Sequence, residues 1–239
     1  MLLQTYLFRD LSAAEVEPIA QAGHLVRLAR GEAAFRVGDR ADGLHVVLTG
    51  QVVESVVGDD GEDVVFEVFT PGAVEGEPGI FSVERDRVVN LVAMRDSTLL
   101  RIGRDDLLAF VRDRPVVLLR LLEGLATQVR QAVEDQTALA SRRVRDRVAL
   151  KLLELALTHG RREGSAFTRI PLPLSQSTIA GLAGASRENV NRALGRLVDE
   201  GLVRIEGQEY LIDAVALAAA IDASPLRHRR NRRPDPSSV

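Results

Sequence analysis

The chain has 239 residues, 46% of them hydrophobic, which allows one large core or two modest ones, with two the better starting point. It contains no cysteine, which excludes disulfides, thiolate zinc sites, cysteine-bound iron–sulfur clusters and cysteine nucleophiles; its four histidines show no ligand-like spacing, so no metal site is expected. The net charge of −3 is uneven: residues 1–140 carry 14 basic against 23 acidic side chains and residues 141–239 carry 17 against 11, so only the second part suits a polyanion.

From the start, Ser12-Ala13-Ala14-Glu15 is a capping-box pattern that predicts a short helix ending near Gly23. Met1-Leu2-Leu3-Gln4-Thr5 lacks the basic start of a secretory leader. No apolar run reaches the roughly 18 residues of a membrane span, so a cytoplasmic place away from membranes is expected. From about 24 to 102 short apolar stretches alternate with glycine-containing breaks such as Val37-Gly38-Asp39, Asp59-Asp60-Gly61 and Pro71-Gly72. That spacing predicts many short strands forming a sandwich or barrel-like antiparallel roll, with Asp60-Gly61 in a tight hairpin.

After Arg104-Asp105-Asp106 the pattern becomes helical, with Pro115 suited to a first turn. Leu118, Leu122, Leu125, Val129, Ala132, Gln136 and Leu139 follow a heptad spacing, with Gln136 as the polar, register-fixing member. The stripe reads as a dimerisation seam, or else as one face of an ordinary amphipathic helix. Val117, Leu119 and Leu121 supply a second apolar face toward the roll. Arg142, Arg143, Arg145 and Arg147 follow near a hinge at Ala140–Arg143, then a helix over Val148–Leu157 and a polar loop over His159–Gly164.

The most informative stretch is 174–197. Ser175 caps a first helix buried through Ile179, Leu182 and Ala183; Gly184 supplies a turn with positive φ; Ser186 caps a second helix buried through Val190, Leu194 and Leu197. Arg187, Glu188, Asn191 and Arg192 are left facing outward near its N-terminal end, where a recognition helix meets base edges. Ser175, Ser186 and Gln176, at the two helix starts, complete the expected DNA-contacting set. Leu202–Ile212 reads as strand, turn and strand, the wing of a winged helix-turn-helix.

These residues resemble the cyclic-AMP receptor/fumarate–nitrate regulator (Crp/Fnr) superfamily over roughly 7–213. Gly184-Ala185-Ser186-Arg187-Glu188-Asn189-Val190 is similar to its recognition-helix signature, and Gly38-Asp39 with Leu44–Val52 to its roll signature. The resemblance implies an α+β chain that is not an enzyme: an antiparallel, jelly-roll-like cyclic-nucleotide-binding β-roll over 1–112, a long dimerisation helix over 113–140, a winged helix-turn-helix over 141–226 and a basic disordered tail over 227–239. It also implies a homodimer reading a palindromic double-stranded DNA site, with RNA polymerase as a further partner. Arg187, Glu188 and Arg192 fall on the family's base-reading positions.

For the sensor, the resemblance implies a cyclic nucleotide such as cyclic AMP held by Gly76, Glu77 and Arg87, with Val88 standing where the family has a phosphate-bonding hydroxyl. Ala132 and Val133 stand where it has adenine-contacting hydroxyls. Glu75 and Pro78 are further departures, the one adding charge and the other removing a backbone donor. Arg87 in a surface ion pair with Glu84 or Asp86 is the plainer alternative. A ligand-independent regulator with a degenerate pocket, and a nucleotide-binding module acting through protein partners, also remain open.

Overall fold

The computed structural model describes residues 1–58, 63–164 and 166–222; the expected Asp60-Gly61 hairpin turn and the basic tail lie outside them. The chain divides into two compact units, Met1–Ala132 and Val133–Val239, and the division falls inside one long helix.

The first unit opens with a 3-10 turn, Leu2–Gln4, and helix α1, Ala13–Ala22. The Ser12 hydroxyl accepts from the Glu15 amide and the Glu15 carboxylate accepts from the Ser12 amide, so the capping box forms with both halves. Strands β1 (His24–Leu28), β2 (Ala33–Phe35), β3 (Gly43–Thr49), β4 (Val52–Val57), β5 (Asp63–Phe69) and β6 (Val74–Glu75) follow. They lead through the short helix α2 (Glu77–Phe81) into β7 (Asn90–Ala93) and β8 (Ser97–Gly103). All pair antiparallel, in two four-stranded sheets of order β1-β8-β3-β6 and β2-β7-β4-β5. Val47 and Leu99 of the first sheet share a core with Val52, Phe69 and Leu91 of the second, which closes the roll.

The first sheet is covered on its outer side as well. Leu44, Val46, Leu100 and Ile102 pack with Phe8, Ile19, Phe110, Val117 and Leu121 from the helical segments. Helix α3 (Arg104–Arg112) and the long helix α4 (Pro115–Ser141) supply part of that cover. Strand β3 is therefore buried on both faces, which explains its unbroken apolar run.

On α4, Val117 and Leu121 are buried against the roll while Leu119 is 59% exposed. Leu119 thus corrects the expected second face: i and i+4 share a side of a helix, but i+2 points about 200° away. The heptad residues Leu118, Leu122, Val129, Ala132, Gln136 and Leu139 are exposed, and Leu125 is half-buried.

The second unit comprises α5 (Val144–His159), β9 (Arg161–Glu163), β10 (Phe167–Ile170), α6 (Gln176–Leu182), α7 (Arg187–Asp199), β11 (Val203–Glu206), β12 (Glu209–Ile212) and α8 (Ala214–Asp222). Its strands form one antiparallel sheet of order β11-β12-β10-β9, and α5 packs against α6, α7 and α8. The segment expected as a polar loop contains β9, an exposed edge strand paired with β10. Arg161-Arg162-Glu163 has no apolar alternation, so only backbone pairing reveals it. Arg169 of β10 reinforces the sheet, with its guanidinium on Glu163, on Glu206 at 2.7 Å and on Glu209 at 2.9 Å. Among the described residues no helix is long and apolar enough to cross a membrane.

Candidate functional site

Two side-chain constellations stand out, one in each unit. In the second, Ser175 caps α6 by accepting from the Thr178 amide, and Ser186 caps α7 by accepting from the Asn189 amide. Gly184 joins the helices at φ +56°, a left-handed angle that favours glycine, while a Cβ there would lie 2.4 Å from the movable end of the exposed Leu139 side chain. Val190, Ala193, Leu194 and Leu197 bury one face of α7. On α6 the core is Ile179, Ala180 and Ala183; Leu182, expected there, is only half-buried.

The opposite face of α7 carries Arg187, Glu188, Asn191 and Arg192, all exposed. Arg192 donates to Glu188 at 2.8 Å and also to Asn189, and Gln176 donates to Asn191 at 3.3 Å. Charged and amide groups are thus gathered at one helix start, where unpaired amides and the helix dipole also favour an anion. The wing is the β11–β12 hairpin, with Glu206 opposite Glu209 and Gly207 at φ +64° in the turn.

Arg147, read from sequence only as one of a basic cluster, joins this element to the end of α4. Its guanidinium donates to the carbonyls of Ala183 at 2.8 Å, Gly184 at 2.9 Å and Arg142 at 3.1 Å. Helix-end carbonyls lack intrahelical donors, and this side chain supplies them from α5.

In the first unit, Gly76, Glu77 and Arg87 do come together. Gly76 has φ +107°, and a Cβ there would lie 2.5 Å from Arg87 Nη1. Arg87 is 4% exposed and donates to the carbonyls of Gly76, at 3.2 Å, and Gly43, while stacking 4.0 Å from the centre of the Phe35 ring. A surface ion pair is therefore not its role. Arg85, at φ +59°, turns the chain just before it. Val88 is 75% exposed, outside the buried cluster that holds Arg87. Ala132 and Val133 are exposed on α4.

Glu77 is buried, and one of its oxygens accepts from the Tyr6 hydroxyl. Burial pushes its carboxyl above the usual range, against the opposing hydrogen bond from Tyr6. Glu75 is also buried and raised, by burial first and then by its hydrogen bond with Glu54. His45 is pushed down to about 3 by burial and then by Arg87 and Arg101, so it stays neutral at physiological pH. Tyr6 had no signal in the sequence, because its contact with Glu77 crosses 71 residues. Pro78 occupies the first turn of α2, where the missing amide costs no helical bond. Among the described residues no cluster of His, Asp or Glu could hold a metal ion.

Comparison with known proteins matches this layout. Residues 25–114 match the cyclic nucleotide-binding domain model and residues 146–220 the Crp-like helix-turn-helix domain model. The chain is 30% identical over 212 residues, 89% of its length and 94% of the relative's, to the "CRP-like cAMP-activated global transcriptional regulator" of Mycobacterium tuberculosis. The chain belongs to the Crp/Fnr family of transcription regulators. A second Crp/Fnr relative, the "Cyclic AMP receptor protein" of Thermus thermophilus, is 32% identical over 200 residues, 83% of this chain and 88% of that one. The solved structure of the c-di-GMP responsive global regulator CLP of Xanthomonas campestris superposes with a TM-score of 0.69 at 26% identity, covering 84% of this chain and 99% of that one. The Crp/Fnr proteins are DNA-binding regulators rather than enzymes, and so is this one.

Proposed function

We propose that two copies of the chain join through the exposed stripe of α4 and read a palindromic DNA site under the control of a cyclic nucleotide held in the roll. The observation that carries the DNA reading is the two-sided α7, whose apolar face is buried while Arg187, Glu188, Asn191 and Arg192 are exposed at its N-terminal end. Arg187 and Arg192 donate to guanine, Glu188 accepts from a cytosine amino group and Asn191 adds an amide contact. Ser175, Ser186 and Gln176 meet the phosphates beside the helix starts.

Arg192 must first leave Glu188 and Asn189, both exposed contacts on its own helix. An exposed i,i+4 pair is worth only about 0.3–0.5 kcal/mol, against about 1–3 kcal/mol for a good bidentate base contact, so the exchange is favourable.

Support for the dimer is the heptad spacing of Leu118, Leu122, Leu125, Val129, Ala132, Gln136 and Leu139, with five apolar members other than Leu125 left exposed on α4. Support for the ligand is the Gly76–Glu77–Arg87 cradle, the matched domain model over 25–114 and two relatives described as cyclic-AMP-activated or cyclic-AMP receptors. Ala132 and Val133 bring no hydroxyl to the base contacts that the resemblance implies at their positions. The regulator works in the bacterial cytoplasm, and RNA polymerase is its partner at promoters.

The test is selection of bound sequences from a random duplex library, with and without cyclic AMP. The expected product is an inverted repeat with half-sites about 34 Å, one helical turn, apart. An unstructured or unenriched pool contradicts the reading.

A further inference from the structure

The interior of the roll changes character along its length. Val52 and Phe69, paired across β4 and β5, belong to the apolar core. Two residues along each strand, on the same side, stand Glu54 and Glu67, again paired. On the opposing sheet His45 and Glu75 are cross-strand partners. Their neighbours Leu44, Val46 and Val74 pack in the outer, helix-covered core, which leaves His45 and Glu75 on the inner side. Glu75 hydrogen-bonds Glu54 between the two sheets.

One end of the roll therefore holds Arg87 among Asp42, Glu54, Glu75 and Glu77, with Glu67 beside Glu75 and Arg101 paired to Asp42. Three side chains there, each at least nine-tenths buried, have an atom without a partner: Glu77 Oε2, Arg87 Nε and His45 Nδ1. Such atoms are costly unless something fills the site. A ligand that suits it brings an anionic group for Arg87 and a base edge rich in donors for the carboxylates.

We propose that the roll takes a cyclic guanine nucleotide in preference to cyclic AMP, with Glu54 and Glu67 accepting from the guanine ring N–H and amino group while Arg87 and the Gly76 backbone hold the phosphate. The assignment rests on the reading of the roll as a cyclic-nucleotide site. Guanine places two donors side by side, a match for two neighbouring carboxylates, which only accept. Adenine offers one amino donor beside a ring-nitrogen lone pair, which confronts a carboxylate lone pair. Glu77 Oε2 remains as the acceptor for a ribose hydroxyl.

Calorimetric titration of the full-length protein with cyclic GMP and with cyclic AMP separates the cases. Cyclic GMP is expected to bind about tenfold or more tightly than cyclic AMP. Replacing an acceptor pair by an amide, as Glu54→Gln or at the exposed position Glu67→Gln, narrows that preference severalfold. Cyclic AMP binding as tightly as cyclic GMP, or a preference unchanged in both variants, overturns the guanine assignment and leaves the cyclic-nucleotide reading standing. Heat with neither nucleotide overturns that reading, and the assignment with it.

Discussion

Three helix-end carbonyls accept from one side chain, Arg147, and a charged hydrogen bond is worth about 1.5–3 kcal/mol. Arg147→Ala should therefore lower the unfolding free energy of the second unit by about 2–3 kcal/mol. Arg147→Lys should recover only part, since an ammonium lacks the planar fork that reaches all three. Urea unfolding measures both, and an Ala variant as stable as the parent rules out the clamp. His45 makes a pH prediction. Its folded pKa of about 3 lies below its unfolded value, so below about pH 6.5 the unfolded chain gains a proton that the folded chain refuses. Stability then falls with decreasing pH, by up to about 1.4 kcal/mol per unit from this group. Glu75 and Glu77, raised by burial, act in the opposite sense and lose stability as pH rises past their unfolded values. The His45→Asn variant isolates the histidine: the parent's stability minus the variant's should fall with decreasing pH below about pH 6.5, by up to about 1.4 kcal/mol per unit. Neither residue was legible in the sequence: Arg147 read only as one of a basic cluster, and His45 as part of an apolar strand, because their partners are distant in the chain.

Elements with a strong period were legible. The caps Ser175 and Ser186, the turn Gly184 and the buried series Val190, Leu194 and Leu197 identify α6 and α7 before any coordinates, and the structure places them so. Strand β9 escaped because its three residues are all exposed and charged. Val88 lies at a bend in the chain, which leaves it exposed although its neighbour Arg87 is buried. Helix α4 carries two further expectations. Leu122→Asp together with Val129→Asp puts charge into the proposed seam at positions 54% and 65% exposed in the single chain. Light scattering should show a shift toward monomer with little loss of helical content, and an unchanged mass removes the seam. Farther round the helix, a Cβ on Gly124 would meet the Tyr6 hydroxyl at 2.7 Å, the same hydroxyl that donates to Glu77. Gly124→Ala should therefore displace Tyr6 from Glu77 and change nucleotide affinity by severalfold without contact with the ligand, as read by titration calorimetry.

At the scale of the whole molecule the charge division follows the two functions. The acidic first part contains the roll with its buried carboxylates, and the basic second part contains α7, the helix proposed to read DNA. Within the first unit Tyr6 links Glu77 to Gly124 of α4, and within the second Arg147 ties Arg142 to the turn between α6 and α7. Each link has its own variant above. The central claim is that α7 reads bases, and Arg187 bears it most directly. Fluorescence anisotropy with the selected duplex should show Arg187→Ala weaker by about 1–3 kcal/mol. Substituting the contacted guanine should weaken the parent by a similar amount and the variant hardly at all. A guanine preference equally strong in parent and variant would contradict the account.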